Sequence, residues 1–146
     1  KCKLIIIGDG YRENKLRKYI LENNLQKKVK LIGYKQNSES YIKISDVFVL
    51  TSFFEGLPNV LIEALYLKKY IISSDCPTGP KEILNKGRYG DLFKVQDHNE
   101  LFKLLKNFNN KSKKIQLKIN QGYKSLGRFD YKNNCEKYFK IISKYL

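Results

Sequence analysis

Short apolar runs alternate with stretches in which apolar residues recur every three or four positions, as far as about residue 108. A strand buried in a parallel sheet is a continuous apolar run, whereas a helix covering the sheet is apolar on one face only. Runs typical of buried strands lie at 4–7, 29–32, 47–50, 70–72 and 92–95. Helices are predicted at 12–23, 39–44, 58–67, from 80 onwards and at 99–108. The evidence is helical spacing of apolar residues or, at 58 and 80, a proline suited to the first helical turn. The alternation predicts an α/β fold, a Rossmann-like parallel sheet flanked by helices, whose first strand is fully buried.

The pattern changes at the polar stretch 109–111. Two further amphipathic helices are predicted after it, separated near 127–130. The expected organisation is therefore an α/β domain at 1–108 and a C-terminal helical extension at 109–146 that packs on the same domain. Because the sequence has no initiator methionine and opens directly on a strand, we expect the α/β domain to be truncated at its N-terminus.

With 146 residues, 42% of them apolar, the chain can form one globular domain with a sizeable core. No apolar run approaches the roughly 20 residues that span a bilayer. Cys2, Cys76 and Cys135 are far apart, and with the single His98 they have no metal-ligand spacing. We therefore expect reduced cysteines, a cytoplasmic location and no metal ion.

The chain carries 29 Lys and Arg against 14 Asp and Glu, a net charge of +15. Such a charge is compatible with nucleic acid, anionic lipid or a phosphorylated substrate as partner. No basic run is interleaved with aromatic residues in a nucleic-acid-binding motif, so no nucleic-acid partner is expected. A basic nucleic-acid-binding protein nevertheless stays an alternative.

The segment 52–64 (Ser-Phe-Phe-Glu-Gly-Leu-Pro-Asn-Val-Leu-Ile-Glu-Ala) joins a predicted buried strand to a helix. In open parallel sheets, ligands bind outside the carboxyl ends of the strands, where such connections lie. Gly56 leaves room for close backbone approach, and Pro58 presets the first helical turn. The amides of 59–61 are then expected to point outward without partners, which predicts an anion site suited to a pyrophosphate.

Two carboxylates flank this turn. Glu55 lies in the loop, and Glu63 lies in the helix one turn beyond Asn59, on the same face. A carboxylate accepts hydrogen bonds from two neighbouring hydroxyls at once, which suits a ribose or a hexose. Taken singly, each could be a solvated surface acid. Together, around a Gly-Pro turn after a buried strand, they favour a ligand site.

Glu55 and Glu63 form a Glu-x7-Glu pattern, and the chain resembles the family 4 retaining glycosyltransferases, which have the two-lobed GT-B fold. Further matching segments are Ile-Ile-Gly-Asp-Gly at 6–10, Leu-Ile-Gly-Tyr at 31–34 and Asp-Val-Phe-Val-Leu-Thr-Ser at 46–52. The resemblance runs from about residue 3 to residue 108 and identifies the chain as the C-terminal, donor-binding lobe.

The resemblance implies roles for particular residues. Glu55 is the implied catalytic residue, beside the donor hexose and its transferring carbon, and Glu63 binds the ribose hydroxyls. The amides from Gly56 to Val60 hold the diphosphate, and the loop at 33–35 lies against the base. The full implied donor-binding set is Gly33, Tyr34, Lys35, Ser52, Gly56, Leu57, Pro58, Asn59, Val60 and Glu63.

The donor implied is a nucleotide-sugar, a UDP-linked hexose or N-acetylhexosamine, with no metal or other cofactor. Segment 75–82 replaces the family's Gly-Gly-x-x-Glu turn, and its Cys-Pro-x-Gly-Pro form resembles members that transfer hexosamines or galactose-type sugars. The implied acceptor is a glycan or lipid-linked sugar in cell-surface polysaccharide or lipopolysaccharide synthesis. It would be bound by an N-terminal domain missing here, without which we expect no turnover. Peripheral contact with an anionic membrane face is also implied, and a non-catalytic nucleotide-binding scaffold stays an alternative.

Overall fold

A computed structural model describes residues 2–145 of the chain. These residues form two compact units that meet in sequence between Tyr41 and Ile42. The division predicted at residue 108 lies inside the second unit, and the boundary of a separate helical extension stays a prediction. No helix in the described part of the chain has both the length and the apolar character needed to cross a bilayer.

The first unit contains a two-stranded parallel sheet. Its elements are β1 (Leu4–Ile6), α1 (Glu13–Glu22) and β2 (Val29–Leu31). β1 and β2 pair in parallel, as the pattern predicts. The expectation of a fully buried first strand is wrong, because Leu4 is 47% exposed and Ile5 40% exposed. Within this unit β1 pairs with β2 alone, and a sheet of two strands beside one helix has too few neighbours to enclose both its faces.

The second unit contains a three-stranded parallel sheet in the order β3-β4-β5, so the single sheet expected from the sequence is seen as two. Its strands are β3 (Val47–Leu50), β4 (Tyr70–Ser74) and β5 (Asp91–Phe93). α2 (Glu39–Ile44) precedes β3 and spans the sequence boundary between the units, α3 (Asn59–Tyr66) and α4 (Pro80–Ile83) lie between the strands, and α5 (His98–Lys106) follows β5. β4 is central and every one of its residues is buried, as expected for a parallel strand covered on both faces.

The last three elements are α6 (Lys113–Lys124), a 3-10 helix (Ser125–Phe129) and α7 (Tyr131–Ile142). α6 packs on α3 and on β4, so the helices after residue 109 contribute to the core of the second unit. Gly122 permits this approach, because a Cβ there would lie 2.6 Å from Leu65 Cδ2. α7 packs on the 3-10 helix, and its three aromatic side chains are all exposed.

The core of the second unit has two halves, one on each face of β4. Ile71 belongs to a cluster with Leu61 and Leu65 of α3. Tyr70 and Ile72 belong to a cluster built with α6 and β5. Successive side chains of a strand point to opposite faces, so one short apolar run supplies both halves. This sheet, packed on both sides, is the rigid support for the loops at its carboxyl edge.

A polar network joins α6 to β5 and includes Tyr70 of the second cluster. Lys118 Nζ donates to the carbonyls of Gly87 at 2.8 Å and Gly90 at 2.9 Å, and forms an ion pair with Asp91. The hydroxyl of Tyr70 donates to the other carboxylate oxygen of Asp91. Burial raises the pKa of Tyr70 well above its ordinary value, and the hydrogen bond to Asp91 acts in the same direction. The phenol therefore stays protonated and acts as a donor.

Candidate functional site

Two loops leave the carboxyl edge of the three-stranded sheet side by side. Residues 51–58 connect β3 to α3, and residues 75–79 connect β4 to α4. β3 and β4 are parallel neighbours, with Leu50 opposite Ser73, so both loops begin at the same edge. This edge is where ligands bind in open α/β sheets. The segment predicted to bind the ligand thus begins at the carboxyl end of β3, as expected.

Hydrogen bonds from the β4 side hold the first loop. Ser74 Oγ donates to the carbonyl of Ser52 at 2.7 Å. Thr78 Oγ1 donates to the carbonyl of Glu55. The backbone of the predicted site is therefore supported at two places, by a side chain at the end of β4 and by one in the loop that follows β4.

Close packing adds to this support at Gly79. Its φ is +88°, a region that L side chains rarely adopt, and a Cβ there would lie 2.5 Å from Pro58 Cδ and closer still to the Gly56 carbonyl oxygen. Only glycine allows the second loop to lie directly on the first at this point. Gly56 itself would meet nothing within 4 Å on adding a Cβ, and the close approach of a ligand to its backbone stays a prediction.

The first turn of α3 presents two free amides rather than the predicted three. Pro58 is the buried N-cap, with φ −69° and ψ 98°, and has no N–H of its own. Leu61 N–H donates to the Pro58 carbonyl at 2.9 Å, so the expectation that it lacks a partner is wrong. A short i to i−3 bond closes the first turn, as is common at helix ends. The N–H groups of Asn59 and Val60 donate to no other residue in the described range 2–145.

Both predicted carboxylates are partly buried, and neither has a side-chain hydrogen bond or an ion pair with any residue from 2 to 145. Glu63 lies on α3, whose opposite face buries Leu61 and Leu65 at 0% and 1% exposure. Glu55 lies in the loop, with its carbonyl held by Thr78 and its carboxylate unengaged. A partly buried carboxylate without an internal partner keeps all its acceptor capacity for a ligand.

Other predicted donor-site residues are placed as follows. Ser52 is partly buried, and Leu57 is 51% exposed beside the free amides. Gly33, Tyr34 and Lys35 follow β2 in the first unit, where the Gly8 N–H donates to the Gly33 carbonyl at 3.0 Å. Tyr34 is 69% exposed. The predicted contact of this loop with a base stays a prediction.

Sequence reasoning missed Ser74, Thr78 and Gly79 as residues that support the site. A signal was present: two serines at the end of an apolar strand, and a glycine before a helix-starting proline, in the segment already compared with the family's Gly-Gly-x-x-Glu turn. Cys76, in the same connection, is 2% exposed. Burial raises the pKa of its thiol and the Glu55 carboxylate adds to this, so Cys76 packs as a neutral group.

Comparisons with known proteins agree with this architecture. The family model described as "Glycosyl transferases group 1" matches residues 1–125. The chain superposes on HepE of Anabaena, solved in complex with UDP, with a TM-score of 0.85 at 20% identity, covering 98% of this chain and 41% of that one. At this level of identity the likeness shows the fold alone, that of a GT-B C-terminal lobe.

Two curated relatives are more similar in sequence. A Campylobacter jejuni enzyme is 36% identical over 104 residues, which are 71% of this chain and 28% of the enzyme. It is named N-acetylgalactosamine-N,N'-diacetylbacillosaminyl-diphospho-undecaprenol 4-alpha-N-acetylgalactosaminyltransferase. The lipopolysaccharide 1,6-galactosyltransferase of Salmonella typhimurium is 36% identical over 95 residues, 62% of this chain and 26% of the enzyme. The match thus spans little more than a quarter of each relative, and the chain belongs to the group 1 glycosyl transferases.

Proposed function

We propose that this chain is the donor-binding part of a retaining glycosyltransferase and that its donor is a nucleotide-sugar. The observation that carries the proposal is the arrangement at the start of α3. In the sequence, the amides of Asn59 and Val60 lie between the carboxylates of Glu55 and Glu63, and none of these four groups has a hydrogen-bond partner among residues 2–145. A diphosphate needs donors, and sugar hydroxyls need acceptors, so the chemistry of both parts of a nucleotide-sugar is matched.

The amides and the dipole of α3 suit the diphosphate. α3 has eight residues, and its positive end faces the carboxyl edge of the sheet. Pro58 cannot donate, so within 56–60 the donors are the amides of Gly56, Leu57, Asn59 and Val60. In the proposed mode, Glu63 accepts from the ribose hydroxyls and Glu55 from the hexose, close to the carbon that is transferred.

Retaining transfer depends on stabilising the leaving group. As the bond from sugar to diphosphate breaks, negative charge builds up on the departing nucleotide. Preorganised amides at a helix N-terminus offset that charge without rearranging during the reaction. We therefore propose a mechanism that requires no metal, with Glu55 acting at the transferring carbon.

The nature of donor and acceptor is supported by what the similar proteins are named for. HepE was solved with UDP, and the Campylobacter relative is named for a diphospho-undecaprenol-linked acceptor. We propose a UDP-linked hexose or N-acetylhexosamine as donor. A glycan or lipid-linked acceptor of cell-surface polysaccharide or lipopolysaccharide synthesis would be bound by an N-terminal domain of the complete enzyme.

The net charge of +15 would favour binding of the enzyme to the anionic cytoplasmic face of a membrane, where a lipid-linked acceptor would be found. Binding to vesicles that contain phosphatidylserine should then weaken as salt rises from 50 to 300 mM, because screening shortens the reach of surface charge. Vesicle binding that does not respond to salt would contradict a membrane contact of electrostatic origin.

The test of the proposed function is an NMR titration of the 146-residue chain with UDP. Saturable shifts of the amides at 55–63 are expected, and shifts at 33–35 would report on the predicted base contact. No shift up to about 5 mM UDP would refute nucleotide binding by this chain. Steeply salt-dependent binding of duplex DNA, with no response to UDP, would support the nucleic-acid alternative instead. Transfer of sugar by the complete enzyme would separate an enzyme from a scaffold.

A further inference from the structure

The carboxylate of Glu55 has no partner among the described residues, yet its backbone is held firmly. The Thr78 hydroxyl donates to the carbonyl of Glu55 itself. Directly beyond Thr78, Gly79 packs against Gly56 and Pro58, the next part of the same loop. The residue that would approach the sugar is thus fixed at its main chain and free at its side chain.

This contact differs in kind from the other support of the loop. Ser74 holds the carbonyl of Ser52, at the beginning of the loop and three residues before Glu55. Gly79 acts through shape, because any side chain there would collide with Pro58. Among residues 2–145, only the Thr78 side chain donates a hydrogen bond to the Glu55 carbonyl. Removing that hydroxyl would free the Glu55 peptide while leaving the rest of the loop supported.

We propose that Thr78 is a positioning residue for Glu55, setting the carboxylate against the sugar part of the donor. The inference rests on the proposed function, in which Glu55 contacts the hexose and Glu63 the ribose. The Thr78 hydroxyl should therefore raise the affinity of the chain for a UDP-sugar and have little effect on its affinity for UDP alone. A residue that merely stabilised the fold would affect both ligands alike.

The experiment compares UDP with UDP-glucose and UDP-N-acetylglucosamine by calorimetry on the 146-residue chain. Thr78→Val keeps the shape of the side chain and removes the hydroxyl, whereas Thr78→Ser keeps the hydroxyl as a matched control. For the UDP-sugar that binds more tightly, Thr78→Val should lower affinity by about 3- to 10-fold, the range expected for one hydrogen bond. Its affinity for UDP should stay within about twofold, and Thr78→Ser should resemble the wild type for both ligands.

A double-mutant cycle with Glu55→Gln tests whether Thr78 acts through Glu55. If it does, adding Thr78→Val to Glu55→Gln should cause no further loss of UDP-sugar affinity, because the two residues act as one unit. Fully additive losses would overturn the proposal. So would equal losses for UDP and UDP-sugar in Thr78→Val, or wild-type affinities for both ligands. If the wild-type chain binds neither UDP nor a UDP-sugar, the proposed function fails and this inference falls with it.

Discussion

Replacing Glu63 by glutamine tests the donor site most directly, because it removes a charge and almost no shape. The side chain makes no hydrogen bond or ion pair with residues 2–145, so no internal polar contact is lost. Glutamine also matches glutamate in helix propensity, which preserves α3. The free energy of unfolding should therefore change by less than about 0.5 kcal/mol.

The expected loss of UDP affinity follows from the hydrogen bonds exchanged. A carboxylate that accepts from both ribose hydroxyls makes two charge-assisted bonds of about 1.5–3 kcal/mol each. The glutamine amide has one neutral acceptor, its oxygen, whose hydrogen bond contributes about 0.5–1.5 kcal/mol. Its NH2 group is a donor and cannot accept from the second hydroxyl. The net loss should be about 1.5–5.5 kcal/mol, a decrease in affinity of about 10-fold or more.

The assay is calorimetric titration with UDP and, for comparison, with UMP, alongside urea unfolding of the same samples. Asp46→Asn is the matched control, because it removes the same charge at the start of β3, the edge of the sheet opposite the site. Its UDP affinity should stay within about twofold of the wild type. Equal UDP affinity for Glu63→Gln and Asp46→Asn would refute the assignment of Glu63 to the ribose.

Three further predictions concern the second unit. Gly122→Ala should lower the free energy of unfolding by about 1–3 kcal/mol, because the new Cβ would lie 2.6 Å from Leu65 Cδ2. In the control Gly127→Ala the new Cβ meets nothing within 4 Å, so the free energy of unfolding should fall far less. Equal losses of stability in urea unfolding would contradict the packing of α6 on α3. Because burial raises the pKa of Tyr70 above its unfolded value near 10, its stabilisation is complete below that pH and is lost at higher pH. The wild type should then lose stability more steeply than Tyr70→Phe above about pH 10, and parallel pH profiles would argue against a buried, hydrogen-bonded phenol. Cys76 should react with a thiol reagent far more slowly than the two exposed cysteines, and three equal rates would mean that its loop is open in solution.

The order and type of the elements could be predicted from the sequence because local pattern determines them. Apolar runs such as 47–50 became strands, and stretches with helical spacing such as 99–108 became helices. The parallel direction of the strands also followed, since each strand is separated from the next by a helix-containing connection of more than about a dozen residues, which is enough for a crossover. Placing the candidate site after β3 required no more than this, because ligands of such sheets bind at the carboxyl edge.

Burial and hydrogen-bond partners could not be predicted in the same way, because they depend on residues distant in sequence. Leu4 and Ile5 have the composition of a buried strand, but how far they are buried depends on the number of neighbouring strands. The carbonyls of Ser52 and Glu55 accept hydrogen bonds from side chains 22 and 23 positions away, at Ser74 and Thr78. A local sequence pattern carries no information about either outcome.

The sequence by itself determined which residues could bind a donor: two carboxylates, a Gly-Pro turn and the start of a helix, in one continuous segment. Only the tertiary structure decided what holds that segment in place. Thr78 lies 23 positions from Glu55, and its hydroxyl reaches that residue because β3 and β4 are neighbours in the sheet. Strand order is set by packing of the whole unit, so contacts between the two loops appear only once the chain has folded.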